Sequence, residues 1–258
     1  MKLDLTILII HYDRINCLNK SLGKLYDTFG DSVKYIIADD NTPEHKLKPI
    51  INKFDVRIER LAKNSGLGAN INNAITKVDT KYVLQIQDDH YLKDGIDHNF
   101  LKYGIECLEN NKDIDMIRFL LPYNLSIKEN RLIENLKISL INNNVFKNLP
   151  YPFYVYSDWP HLRSLESYNK FGRYTENKPV GVTELAYGMN LIINEGVVAY
   201  IDDFRNIFEH DSSGLTYNKQ RNDLVKRIPN IQYLSLIKSY LAYFYMKITG
   251  SFPFFLYY

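Results

Sequence analysis

Through the first third of the chain the apolar positions switch repeatedly between two spacings. Leu3 to Ile10 is a β-rich, mostly apolar run, closed by His11, Tyr12, Asp13 and Arg14. Ile15, Leu18, Leu22, Leu25 and Phe29 then recur every three or four residues, the spacing of an amphipathic helix, and Gly30 stops it. The cycle repeats. Val33 to Ala38 predicts a strand ending in Asp39, Asp40 and Asn41, and Thr42 with Pro43 predicts a helix start whose apolar stripe is Leu47, Ile50, Ile51 and Phe54. Val56 to Leu61 reads as a third strand and Asn64, Gly66 and Gly68 as a loop. Leu67, Ile71, Ala74, Ile75 and Val78 line a third helix. A fourth strand, from Tyr82 to Ile86, runs into two adjacent carboxylates, Asp88 and Asp89.

Strands alternating with helices imply an α/β fold: a mostly parallel central sheet, flanked by helices and joined by right-handed crossovers. In such a sheet every strand's carboxyl end faces one rim, so His11, Tyr12, Asp39 and the Asp88–Asp89 pair are expected to converge. Open α/β sheets bind ligands at that rim. Adjacent carboxylates repel each other, and a cation is the usual relief. An acidic turn at a helix start would give the same two letters.

Downstream, Ile96, Phe100, Tyr103 and Leu108 predict a helix, and Ile114 to Leu121 a strand halted by Pro122. The pattern weakens from 123 to 160: a polar stretch, an Asn-rich turn at 142–144, then Pro150, Pro152 and an aromatic run that ends at His161. Leu165, Tyr168 and Phe171 mark another helix, the segment from Gly181 a further one, and Val197 to Ile201 a late strand. Between Pro229 and Gly250, Ile231, Leu234, Ile237, Leu241, Phe244 and Ile248 keep helical spacing, with Lys238 and Lys247 interspersed. Charge interrupts this stripe, so an interfacial helix is expected rather than a membrane-spanning one. A face packed on the rest of the protein, or on a second copy in a homodimer, would read the same way. The expected organisation is one domain over 1–228, with halves 1–92 and 93–228, and an amphipathic extension over 229–258.

Composition changes this picture little. The 258 residues are 45% hydrophobic and 24% charged with net charge +2, ordinary for a globular protein, without an acidic tail or the basic excess of a nucleic-acid binder. The 21 tyrosines suit carbohydrate or membrane-interface contacts, each ring being apolar with a polar tip, although a Tyr-rich proteome would leave the same mark. Cys17 and Cys107 are isolated, without metal-ligand spacing, which points to a reducing cytoplasm. The N-terminal apolar run is too short for a signal peptide and lacks a small-residue cleavage site. The expected location is cytoplasmic, peripheral to the inner face of the plasma membrane if the last helix is interfacial.

Four segments in this order, LTILIIHYDRINCLNKSL, YIIADDNTPE, NSGLGANINNAI and YVLQIQDDHYL, resemble the N-terminal half of glycosyltransferase family 2 enzymes of the GT-A fold, the kind that builds bacterial surface polysaccharide such as lipopolysaccharide or capsule. The resemblance implies a nucleotide-sugar donor, UDP- or dTDP-linked, and a glycan or lipid-linked acceptor. It puts Tyr12 against the base, Asp39 on the imide N–H of uracil or thymine, and Asp88 on the ribose. Asp89 would bind a divalent metal, Mn²⁺ or Mg²⁺, that neutralises the diphosphate. Asn72 matches the last residue of the family's Ala-Arg-Asn, but Ile71 stands where the Arg would help hold the nucleotide. Glu184 fits the general base of an inverting transfer, with Glu176 and Asp158 as competitors. His210 resembles a late histidine that completes the metal or diphosphate site. Trp159 and His161 are the expected acceptor contacts, because an open indole stacks on a sugar face. Two other readings are a sugar-1-phosphate nucleotidyltransferase, whose Gly-rich basic loop after the first strand is missing here, and a catalytically silent module of the same fold.

Overall fold

In the computed structural model, residues 2–121, 125–133, 136–144, 146–147, 155–211 and 229–257 are described. They form two compact units, Met1–His210 and Asp211–Tyr258. The boundary expected at 228/229 falls beside residues 212–228, which lie outside the described residues, as do Pro122, Pro150 and Pro152.

The first unit opens with the predicted alternation. Strand β1 (Leu5–His11) leads to helix α1 (Ile15–Phe29), then β2 (Lys34–Asp39), α2 (Glu44–Lys53), β3 (Arg57–Arg60), α3 (Gly66–Ile75) and β4 (Tyr82–Gln87). All seven residues of β1 are buried, as a parallel strand covered on both faces requires. Helix α1 buries Leu18, Leu22, Leu25 and Phe29, and Gly30 ends it in a left-handed conformation (φ 47°). Thr42 does not cap α2. Its N–H donates to Asp39 and its hydroxyl accepts from the Asp13 N–H, which ties together the loops after β1 and β2.

The rest of the unit is β5 (His90–Leu92), α4 (Phe100–Asn110), β6 (Met116–Arg118), the hairpin β7 (Ile127–Ile133) and β8 (Leu136–Ile141), β9 (His161–Ser164), α5 (Leu165–Phe171), α6 (Val180–Ile193), β10 (Val198–Ile201) and β11 (Phe208–His210). Nine strands form one sheet in the order β3-β2-β1-β4-β9-β6-β10-β8-β7, and β5 and β11 form a separate ribbon. The pairs among β1 to β4 are parallel, as is β6 with β10. Strand β9 runs antiparallel between β4 and β6, and the β7–β8 hairpin closes the far edge. The strand expected over Ile114–Leu121 shrinks to Met116–Arg118, because its neighbours pair only at Met116, Ile117 and Arg118.

In the second unit α7 (Pro229–Thr249) occupies the predicted span and Gly250 ends it with φ 71°. Ile237, Leu241, Phe244 and Ile248 are all exposed, Ile248 at 84%. Among the described residues no helix is long and apolar enough to cross a membrane.

Candidate active site

The parallel register carries three chain segments to one rim. His11 ends β1, directly opposite Asp39 at the end of β2, and Asp88 and Asp89 follow β4 on the other side of β1. His11 bridges the two walls: Nδ1 lies 2.6 Å from Asp88 Oδ2 and Nε2 lies 4.0 Å from Asp39 Oδ1. Asp39 and Asp88 are fully buried and Asp89 nearly so. The first two rim loops turn through left-handed residues, Asp13 (φ 55°) and Asn41 (φ 71°), residue types that tolerate this conformation. Beside Asp13, Tyr12 stands 48% exposed, an open aromatic face at the edge of the carboxylates.

Arg14, at the start of α1, reaches both members of the acidic pair, Asp88 through one guanidinium nitrogen and Asp89 Oδ2 through the other at 2.5 Å. Burial works against the Arg14 charge, but the two carboxylates outweigh it and raise its pKa. The two aspartates respond differently. Burial pushes the Asp88 carboxyl upward, and its contacts with His11 and Arg14 only partly offset this. Burial also opposes the charge of Asp89, yet the close approach of His210 and His90 and the Arg14 charge hold its carboxyl well below the usual range. Asp89 is thus the fixed anion of the rim.

His210 arrives by tertiary pairing. In the β5–β11 ribbon His210 stands opposite His90, and His210 Nε2 comes to 3.4 Å from Asp89 Oδ2. Asp89, His90 and His210 offer donor atoms that all lie within 4.8 Å of one another, a group able to hold a metal ion. His90 did not stand out in the sequence. The only signal was its place next to Asp89, and a lone buried histidine is more often structural than ligating.

Glu184 lies in the second turn of α6, past the first turn where it would complement the helix dipole. Its Oε1 accepts from the Asp158 backbone N–H at 3.0 Å. Asp158 accepts in turn from the Gln87 side-chain amide, which joins this carboxylate pair to the end of β4. Burial, the like charge of Glu184 and a hydrogen bond shared with it, and then Asp89 push the Asp158 carboxyl well above the usual range. Helix α6 is fixed from below by a buried cation. The Arg163 guanidinium donates to Tyr187 Oη at 2.7 Å and to Tyr174 Oη at 2.5 Å, and lies 3.3 Å over the Tyr168 ring. Tyr187 follows Glu184 by one helical turn, so this tyrosine cage also holds the carboxylate in place.

The other candidates lie elsewhere or play other parts. Residues 70–72 belong to α3, as the helical spacing through Ile71 predicts: Ile71 is fully buried, and Asn70 donates to the Ala38 carbonyl at 2.7 Å. Asn72 binds the backbone of Tyr174 and the Glu176 carboxylate, beside a cleft of about 490 Å³ that it lines with Lys63, Arg173 and Glu176 and that contains none of the rim aspartates. His161 is fully buried in β9, where its Nδ1 meets the Trp159 carbonyl at 2.8 Å, so its ring is closed to an acceptor as it stands. Trp159 is half-buried and stacks on His210, centroids 6.0 Å apart and planes at 19°.

Comparison with known proteins agrees with this geometry. The model of the family "Glycosyl transferase family 2" matches residues 6–157, which include Tyr12, Asp39, Asp88 and Asp89. No curated protein sequence is significantly similar to the chain. Among solved structures, the crystal structure of S. aureus TarS 1-349 superposes with a TM-score of 0.53 at 15% identity, covering 79% of this chain and 58% of that one. A second S. aureus TarS structure gives 0.54 at 14% identity, covering 78% and 35%. The chain therefore spans a little over half of the shorter TarS chain and about a third of the longer, and at these identities the likeness speaks for the fold. A family match that runs along the whole carboxylate rim, on a sheet of this topology, means that the chain belongs to glycosyltransferase family 2 and has the GT-A fold.

Proposed function

We propose that the protein is a metal-dependent, inverting glycosyltransferase that moves a sugar from a UDP- or dTDP-linked donor to a hydroxyl of a glycan or lipid-linked acceptor in surface-polysaccharide synthesis. One observation carries this reading: Asp39, Asp88, Asp89 and His210 meet at a single sheet rim, bridged by His11 and Arg14. Tyr12 stacks on the base, Asp39 accepts from its imide N–H, and Asp88 meets the ribose.

The residues present fit a divalent cation. Asp89 Oδ1 and both His90 ring nitrogens are buried without a hydrogen-bond partner, and His210 lies beside them. A cation held there by Asp89 and His210 would neutralise the leaving diphosphate. Glu184 takes the acceptor's hydroxyl proton, the acceptor oxygen bonds to the anomeric carbon, and the sugar–phosphate bond breaks with its electron pair leaving on the nucleoside diphosphate. Asp158 orients Glu184 by donating its backbone N–H to the Glu184 carboxylate. Trp159, beside His210, offers the flat apolar face on which an acceptor sugar stacks. The exposed stripe of α7, flanked by Lys238 and Lys247, lies against an anionic membrane surface where lipid-linked acceptors are held.

A panel of UDP-, dTDP-, GDP- and CMP-sugars, assayed for donor hydrolysis and transfer with and without Mn²⁺, tests the reading. Turnover is expected with a uridine or thymidine donor and the ion together. Equal rates after full chelation would remove the metal from the mechanism, and preference for a GDP- or CMP-sugar would remove the assignment of Asp39.

A further inference from the structure

Resting on Asp89 and His210 as the cation's ligands, we infer that His90 is a third protein ligand. The centre is then two imidazoles and one carboxylate, selective for nitrogen-binding divalent transition-metal ions such as Mn²⁺, Co²⁺ and Zn²⁺ over Mg²⁺. The ribbon register is the first ground. His90 and His210 are directly opposed, and opposed residues of an antiparallel pair project from the same face. Their ring centroids lie 5.0 Å apart.

The second ground is what His90 lacks. Its ring is fully buried, and neither nitrogen has a hydrogen-bond partner among the described residues. Buried polar atoms without partners are rare and call for a specific reason. Asp89 Oδ1, also without one, lies 3.1 Å from His90 Nδ1, while Arg14 takes the other carboxylate oxygen. The three donor atoms fall within 4.8 Å of one another. Ligands about 2.1 Å from a common ion are at most about 4.2 Å apart, so small side-chain adjustments close the set.

The strand carrying His90 is tied to α1, since the His90 carbonyl accepts from the buried Ser21 hydroxyl at 2.9 Å. Trp159 walls one side, 6.0 Å from the His210 ring and 5.7 Å from that of His90. Imidazole nitrogens favour first-row transition ions, whereas Mg²⁺ keeps oxygen ligands and water. Replacing one oxygen position by a second imidazole therefore shifts the preference away from Mg²⁺.

Trp159 is the only tryptophan in the chain, so its fluorescence reports occupancy directly in the full-length protein without an activity assay. Co²⁺ and Mn²⁺ are expected to quench it, with Mg²⁺ competing only at concentrations at least tenfold higher. In His90→Gln, Co²⁺ affinity should fall tenfold or more and the margin over Mg²⁺ should narrow, with the metal-free melting temperature checking the fold. If wild type and variant bind Co²⁺ alike with the same preference, His90 is not a ligand and this inference is overturned while the site stands. If the wild type binds no ion, the cation reading falls with it. Pulsed EPR of Mn²⁺-loaded wild type provides a check free of any variant: couplings from two imidazole nitrogens are expected, and a single nitrogen overturns the assignment.

Discussion

The two parts of the first unit deliver their candidate site residues by different physics. Between residues 5 and 92 the chain repeats strand and helix, and each acidic residue stands where a parallel strand runs out. Their meeting is a consequence of topology alone. Beyond residue 93 the contributions come through antiparallel pairing and single contacts: His210 through a three-residue ribbon, Glu184 through the Asp158 backbone, Trp159 through a stack on His210. A rim built by topology tolerates sequence change as long as the alternation survives. A site completed by isolated contacts depends on each of them.

Substitutions can grade that contrast. The largest effect is expected at the topological end: Asp89→Asn should abolish turnover, a loss above about 10³-fold, because it removes the rim's fixed anion. Next, Glu184→Gln should lower kcat by about 10²-fold or more with donor affinity nearly unchanged, the signature of a lost proton acceptor. A parallel fall in donor affinity would mean that Glu184 supports the fold instead.

Gly68→Ala probes the scaffold of α3. A Cβ there would come 2.0 Å from the Thr175 carbonyl oxygen, so the helix must shift, and chemical denaturation should register a loss of about 1–3 kcal/mol. Asp158→Asn should act in the opposite direction. The folded pKa of Asp158 is raised, so its stabilising contribution is complete below about pH 3.9 and is lost as pH rises through the folded value. The amide mimics the neutral acid. The variant should therefore melt higher than wild type at pH 8, by about 2–4 °C for each kcal/mol gained, and the gap should vanish near pH 4. The smallest effect on chemistry is expected from removing residues 229–258. Turnover on a water-soluble acceptor should hold, while co-sedimentation with anionic vesicles should drop.

What could be read from the letters follows the same division. The helix Ile15–Phe29, the strands that lead to Asp39 and Asp88, and the span of α7 were all legible, because an apolar run or periodicity sustained over six or more residues records burial. The ribbon was not, since three-residue strands such as HYL and FEH have no period to detect. Strand β9 was hidden for another reason. It buries His161 and Arg163 completely, so its polar letters mimic a loop while the tyrosine cage holds the guanidinium from residues up to 24 positions away. Asn72 shows the limit of motif matching. It occupies the family position, yet both its amide atoms are engaged by Tyr174 and Glu176, a partnership over 100 residues long in sequence that no local pattern announces.

The salt link from Arg14 to the Asp88–Asp89 pair has one more consequence. A guanidinium already balances the acidic pair, so the polypeptide can complete its folding before any ion has been acquired. Chelated protein should keep its circular dichroism spectrum and melt cooperatively. On the proposed metal dependence, activity should then return within mixing time when the ion is restored.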